Sequence, residues 1–193
     1  MSLFEHVTKK LLKSGAVGVI PTDTVYGVVA RAADEAAVER LYKLKKREAK
    51  PGTIIAADLK QLEDLGLKHR YLKAVEQFWP GAVSVIIPCG QELEYLHQGA
   101  MSLAVRLPKD AALRKLLSQT GPLVTSSANQ PGAPVAENIA QAKHYFGAQV
   151  DFYVDGGDLS GRAPSTILRI VDDAIEVIRE GAVRIEETEE GAP

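Results

Sequence analysis

Short apolar runs closed by Gly or Pro alternate along this chain with stretches whose apolar residues recur every three or four positions. The runs read as buried strands and the periodic stretches as amphipathic helices. Strands are expected near 16–20, over Thr53–Ala57, Val83–Ile87 before Pro88, Ser102–Leu107 before Pro108, Leu123–Thr125 and Val150–Val154. Thr166–Val171 and Ile175–Ile178 read as a hairpin around Asp172-Asp173. The first helix is expected over 3–14, where Leu3, Phe4, Val7, Leu11 and Leu12 share a face and Gly15 is a stop. A second follows Asp34 from Glu35 to Lys46 with Ala37, Val38, Leu41, Tyr42 and Leu44 as its stripe. Asp58 caps a third through Leu65. Further helices are expected at about 70–79, 110–119 and 137–146, and Gly156 to Gly161 reads as a loop.

Strands and helices interleave irregularly and without a repeat, which predicts one α/β domain built on a mixed, twisted sheet. No linker separates two domains: residues 1–185 form the domain, and 186–193, acidic and poor in apolar residues, are expected to fray. The 193 residues can bury a substantial core, and 46% hydrophobic with 25% charged residues fits a globular protein. A formal net charge of −2 argues against coating nucleic acid by bulk electrostatics, though not against a local basic cleft. One cysteine, Cys89, cannot form an internal disulfide, which fits a reducing compartment. No run approaches the roughly 20 apolar residues of a membrane span, and the N-terminus lacks a signal-peptide pattern. A cytoplasmic location without membrane contact is the expectation.

Two polar clusters stand directly behind apolar runs: Pro21-Thr22-Asp23-Thr24-Val25-Tyr26-Gly27, and Thr125-Ser126-Ser127-Ala128-Asn129. Hydroxyls and an amide at strand ends belong where an α/β sheet opens a crevice for a ligand; ordinary turn and capping duty is the competing reading. The cations Lys43, Lys45, Lys46, Arg47 and Lys50 lie at the end of the second helix, where the dipole favours them whatever their task. If the chain is extended there, Lys45 and Arg47 point the same way and reach one ligand together. Arg106 closes an apolar strand, so it requires a counterion or an opening, and Arg179 and Pro164-Ser165-Thr166 repeat the pattern. The phosphate-binding Gly-x-x-x-x-Gly-Lys loop, the Gly-x-Gly-x-x-Gly turn and the Ser nucleophile elbow are all missing. The four histidines have no zinc-ligand spacing. Cations plus hydroxyls without an obvious base or nucleophile suit anion binding and nucleotidyl transfer.

Pro-Thr-Asp-Thr-Val-Tyr-Gly at 21–27, Lys45-x-Arg47, Phe78-Trp79-Pro80-Gly81, Ala104-Val105-Arg106-Leu107-Pro108, Thr125 through Asn129, Pro164-Ser165-Thr166 and Ile178-Arg179-x-Gly181 occur in that order. Together they resemble the YrdC/TsaC family of L-threonylcarbamoyl-AMP synthases, in its short single-domain form, over about residues 10–183. The resemblance implies a YrdC-like twisted open mixed sheet with flanking helices and a positively charged cleft. It also implies conversion of L-threonine, bicarbonate and ATP to threonylcarbamoyl-adenylate, pyrophosphate and water, with Mg²⁺ accompanying ATP. The product of that family feeds N6-threonylcarbamoyladenosine formation at position 37 of tRNA, through a TsaD-type transferase complex.

By the same resemblance Lys45, Arg47, Ser127 and Asn129 match the family's catalytic tetrad. Thr22, Arg106, Thr125 and Ser165 match the threonine site, Arg106 taking the carboxylate, while Lys45, Arg47, Ser102, Ser127 and Arg179 match ATP contacts. Two departures stand out. Arg47-Glu48-Ala49-Lys50-Pro51-Gly52 is one residue shorter than the family's spacing, which leaves Lys50 without an assigned role. Pro80-Gly81-Ala82-Val83-Ser84 stands where Pro-Gly-Pro-Leu-Thr is common. The reading from another class is a non-catalytic module binding double-stranded or ribosomal RNA, and direct contact with tRNA stays open. A carbamoyl-adenylate domain of the hydrogenase-maturation type is normally embedded in much longer chains.

Overall fold

The computed structural model describes residues 3–47, 49–172 and 174–185. Helix α1 (Val7–Leu11) leads into strands β1 (Val17–Pro21) and β2 (Tyr26–Arg31), then α2 (Glu35–Leu44) and β3 (Thr53–Ile55). Helices α3 (Leu59–Asp64) and α4 (His69–Ala74) and a 3-10 turn (Glu76–Phe78) precede β4 (Val83–Pro88). Next come α5 (Glu94–His97), β5 (Ser102–Arg106), α6 (Ala111–Thr120), β6 (Leu123–Ser127) and α7 (Ile139–Phe146). Strands β7 (Phe152–Tyr153), β8 (Thr166–Val171) and β9 (Ala174–Arg179) complete the set.

Helices α2, α3, α6 and α7 start at a side-chain cap. Asp34, Asp58, Asp110 and Asn138 each accept a hydrogen bond from the amide three residues on, satisfying a donor the helix itself leaves orphaned. The nine strands of the described residues join one mixed sheet in the order β7-β1-β2-β6-β3-β5-β4-β8-β9. The pairs β1/β7, β3/β5 and β4/β8 are parallel and the other five antiparallel.

Successive side chains alternate between the two faces, and the faces differ. Val19, Val28, Ile54, Val85, Val105, Val124 and Leu168 pack beneath Leu41 of α2, Leu62 of α3, Leu72 of α4, Leu96 of α5 and Phe146 of α7. On the opposite face Ile20, Val29, Ile55 and Leu123 lie under Val7 and Leu11 of α1 and Leu113, Leu116 and Leu117 of α6. That second cover is only partial. Gly27, Ser127, Thr125, Thr53, Ala104, Arg106 and Ile167, on the same face by parity and register, line an open cleft instead. The sheet therefore positions the site by leaving half of one face bare.

Three expectations need correction. Strand β2 went unread: its Val28-Val29-Ala30 is short and follows the polar Thr22–Tyr26 segment, and only pairing with β1 and β6 makes it a strand. Helix α5 went unread because four residues are too few for a periodic signal. The first helix is far shorter than 3–14, since residues 3–6 form turns and Leu3 and Leu12 are exposed. The hairpin forms as expected, although Asp173 and the acidic segment 186–193 lie outside the described residues. None of the described helices is long and apolar enough to cross a membrane.

Candidate active site

The cleft is lined by three arginines, Arg47, Arg106 and Arg179, and by hydroxyls from Thr22, Thr24, Thr53, Thr125, Ser127 and Ser165. Its volume is about 130 Å³, the size of a small ligand rather than of a whole nucleotide. Among the described residues no Asp, Glu, His or Cys lines it. Cys89 stands apart with its thiol pushed up to about 11, by burial and then by Glu92, so it supplies no thiolate nucleophile.

Thr22 stands in the tight β1–β2 connection. Its hydroxyl donates to Val25 O at 2.6 Å and accepts from the Thr24 amide at 3.2 Å. Because its one proton is committed, the 3.0 Å contact between the Thr22 and Thr24 hydroxyls has Thr24 as donor. Thr125 and Thr53 face each other across the β6/β3 ladder. Gly27 is a glycine for a steric reason: a Cβ there would lie 2.5 Å from Thr125 Oγ1 and 3.3 Å from Thr22 Cγ2.

Arg106 ends β5 and is 2% exposed. Its Nη1 donates to Asp23 Oδ1, and the two side chains are 3% and 8% exposed. The counterion that an arginine in an apolar strand requires is thus supplied from the first polar cluster. Nε–H, on another edge of the guanidinium plane, is buried and has no partner among the described residues. Arg179, at the end of β9, donates through Nη2 to Ser165 O at 2.6 Å, and Ser165 Oγ lies 2.9 Å from Ser84 Oγ. Burial first, then the charges of Arg47 and Arg106, hold the Arg179 guanidinium below its ordinary range, which marks a cluster of like charges.

Lys45 and Arg47 enter through a turn, contrary to the extended segment expected. Lys45 is the helical C-cap of α2 and Lys46 has φ of 47°. Arg47 lines the cleft while its Nη1 donates to Lys50 O (3.0 Å) and Pro51 O (2.8 Å), closing the short loop. Burial lowers the Arg47 pKa. Lys45 is 6% exposed, and its Nζ donates to Ser127 O (2.7 Å), to Asn129 Oδ1 (2.9 Å) and to Asn129 O. Burial, then Arg47, push its pKa down to about 8. Ser127 Oγ donates to the same Asn129 Oδ1 at 2.8 Å, and Asn129 Nδ2 to Ala133 O at 2.8 Å. Lys45, Ser127 and Asn129 are therefore one hydrogen-bonded unit at the end of β6, with Arg47 beside it.

Ser102 is the one expected residue outside this assembly. It starts β5 on the face that carries Arg106, four residues or roughly 13 Å from it, and its hydroxyl donates to Ala100 O at 3.3 Å. Sequence reading missed Thr53, which lines the cleft, and gave no individual role to Thr24, which lines it too, or to Asp23, which stands behind Arg106. Thr53 shares its face with Ile55, a signal visible only once the cover over Ile55 is known.

An open mixed α/β sheet whose bare half presents clustered guanidinium groups and hydroxyls, with no carboxylate among the described residues, defines a site suited to binding a small anion. Residues 10–181 match the Sua5/YciO/YrdC family, whose description reads "Telomere recombination". The chain is 33% identical over 174 residues to the threonylcarbamoyl-AMP synthase of Stutzerimonas stutzeri, covering 88% of this chain and 93% of that one. It is 31% identical over 185 residues to the Bacillus subtilis threonylcarbamoyl-AMP synthase, covering 93% of this chain and 54% of the relative. The crystal structure of Pyrococcus abyssi Sua5 complexed with L-threonine superposes with a TM-score of 0.80 at 28% identity, over 91% of this chain and 53% of that one. This chain thus spans about half the length of the Bacillus and Pyrococcus relatives. It belongs to the Sua5/YciO/YrdC family.

Proposed function

We propose that this chain is a threonylcarbamoyl-AMP synthase, a nucleotidyltransferase that joins L-threonine, bicarbonate and ATP and releases pyrophosphate. The observation that carries the reading is the buried, unpartnered Nε–H of Arg106 in a hydroxyl-lined cleft flanked by Arg47 and Arg179. A buried donor without an acceptor is costly, and a carboxylate laid along the Nε/Nη2 edge would satisfy it bidentately. Threonine held that way places its side chain among the hydroxyls of Thr125, Thr22 and Ser165. A pocket built to hydrogen-bond a substrate hydroxyl rejects an analogue that lacks it.

Bicarbonate takes up a proton and loses water to give carbon dioxide; the threonine amine adds to its carbon and gives up one proton, which replaces the one consumed, leaving a carbamate. A carbamate oxygen then attacks the α-phosphorus of ATP, forming the mixed anhydride while the bond to the β-phosphate oxygen breaks and pyrophosphate leaves. The carbamate and ATP are both anions, so fixed cations already in place lower the barrier to bringing them together. Arg47 and Arg179 meet the phosphates, and Ser127 and Asn129, braced by Lys45, hold the wall against which the carbamate turns. Ser102 would meet a nucleotide only if it extended along the bare face of β5. Among the described residues no group of three His, Cys, Asp or Glu gathers to hold a metal. Because the polar lining among the described residues consists of hydroxyls and arginines, Mg²⁺ would enter in this proposal as part of the nucleotide substrate, held by its phosphates. The adenylate then passes to a TsaD-type transferase acting on tRNA.

The test is pyrophosphate release from ATP by the purified chain, which should require both threonine and bicarbonate. Arg47→Ala should cut the rate by about two orders of magnitude or more while leaving the fold intact. Equal release with and without threonine would overturn the proposal.

A further inference from the structure

Asp23 is the one charged residue of the first polar cluster, and it makes no part of the cleft wall. It belongs to the β1–β2 connection, yet it meets Arg106 across the intervening strands β6 and β3. Its second oxygen lies 3.4 Å from the Lys109 amide. Both charges are nearly excluded from water, so they neutralise each other locally rather than through solvent.

We propose that Asp23 is a positioning residue that sorts the two anionic substrates, reserving Arg106 for a monocarboxylate and leaving polyphosphate to Arg47 and Arg179. The inference rests on the function proposed above. Two consequences of the geometry carry it. Asp23 occupies Nη1, so the guanidinium can offer an incoming group only its Nε/Nη2 edge, whose Nε–H lacks a partner. That edge fits the two oxygens of a carboxylate. Asp23 also cancels the charge of Arg106. A single negative charge arriving there leaves the buried group at −1, whereas a pyrophosphate or triphosphate leaves it at −2 or beyond, which a desolvated site disfavours steeply.

Arg47 and Arg179 differ in this respect. Among the described residues neither is paired with a carboxylate, and each donates only to backbone oxygens or to Ser165. They hold uncancelled charge at the place where phosphate oxygens would meet it. Without such sorting, three clustered arginines would present one continuous polyanion site, and ATP would exclude threonine from its own pocket.

The experiment is calorimetric titration of L-threonine into the full chain, with and without saturating sodium pyrophosphate. In the natural protein pyrophosphate should change the threonine Kd by less than about twofold, since the two anions occupy different arginines. Asp23→Asn keeps the volume and the accepting oxygen but removes the charge. In that variant pyrophosphate should raise the apparent threonine Kd by about tenfold or more, because Arg106 now attracts polyphosphate. An Asp23→Asn protein whose threonine affinity ignores pyrophosphate overturns the proposal, as does competition of equal strength in the natural chain. Asp23→Glu keeps the charge and shifts it by one methylene. It should bind threonine more weakly yet remain insensitive to pyrophosphate, so it tests the idea even where Asp23→Asn fails to fold; competition in this variant also overturns it. A natural chain that binds no threonine at all defeats the functional reading and this inference with it, which separates the two kinds of failure.

Discussion

Lys45 reaches the site from the C-cap of α2 with its ammonium facing three oxygens, two of them main-chain carbonyls and the third the side-chain amide of Asn129. Three N–H donors meet three acceptors, so in this arrangement Lys45 braces the end of β6 with a charge. Burial and Arg47 bring its pKa down to about 8. The sign is then fixed: below that pH the ammonium holds the Ser127–Asn129 wall, and above it the charge and one donor are lost. ATP affinity, followed by calorimetry across pH 6.5 to 9.5, should accordingly weaken as the pH rises through about 8; a flat profile would show that the brace does not depend on charge. Sequence alone revealed this residue and its neighbours only as a cluster of cations and a Ser-x-Asn pair. Its error was to give Lys45 and Arg47 a common direction, because the positive φ of Lys46 that turns the chain between them carries no sequence signal at a lysine.

At the scale of the elements, the informative junction is the crossing of β2, β6 and β3. Gly27 pairs with Ser127 in the ladder, and Thr125 pairs with both Val29 and Thr53. The cleft floor is therefore continuous sheet, and the hydroxyls stand on it at strand spacing. A methyl group at Gly27 would push against Thr125 Oγ1 from below. Gly27→Ala should cost about 1–3 kcal/mol of stability through overpacking and lower threonine affinity about tenfold, measured by thermal denaturation and calorimetry. Unchanged affinity would mean that Thr125 does not touch the substrate. Strand ends stopped by Pro108, and an arginine closing each of two strands, made Arg106 and Arg179 legible in the sequence. Strand β2 was not, since the hydroxyl-rich turn before it reads as loop until β1 is laid alongside. Thr53 was hidden for a related reason: its face is decided by α6, which covers Ile55 but stops short of Thr53.

Across the whole molecule, one aromatic hydroxyl ties the two ends of the cleft together. Tyr26, fully buried at the start of β2, donates to Gly157 O at 2.8 Å and accepts from the Gly156 amide at 2.8 Å. These bonds anchor the irregular segment that runs from β7 to Pro164 and Ser165 in the opposite wall. Leu159, 6% exposed, adds a second anchor through its amide to Glu137 O. Tyr26→Phe removes both hydroxyl bonds and should cost about 1–3 kcal/mol, with faster proteolysis between residues 156 and 163 as the specific readout. Protection equal to that of the natural chain would place the restraint elsewhere. Interleaved strands and helices announced an α/β domain from the sequence, but the nine-strand order did not follow from it, because five of the eight neighbouring pairs join strands distant in the chain.

The lining residues extend from Thr22 to Arg179 along the polypeptide, and β9, which brings the last of them, forms the outer margin of the sheet. Contacts so distant along a chain close late in folding, since loop entropy must be overcome first. No half of this protein can hold a working half of the pocket. During synthesis, a pocket whose walls run from Thr22 to Arg179 cannot close until the β8–β9 hairpin has emerged and docked.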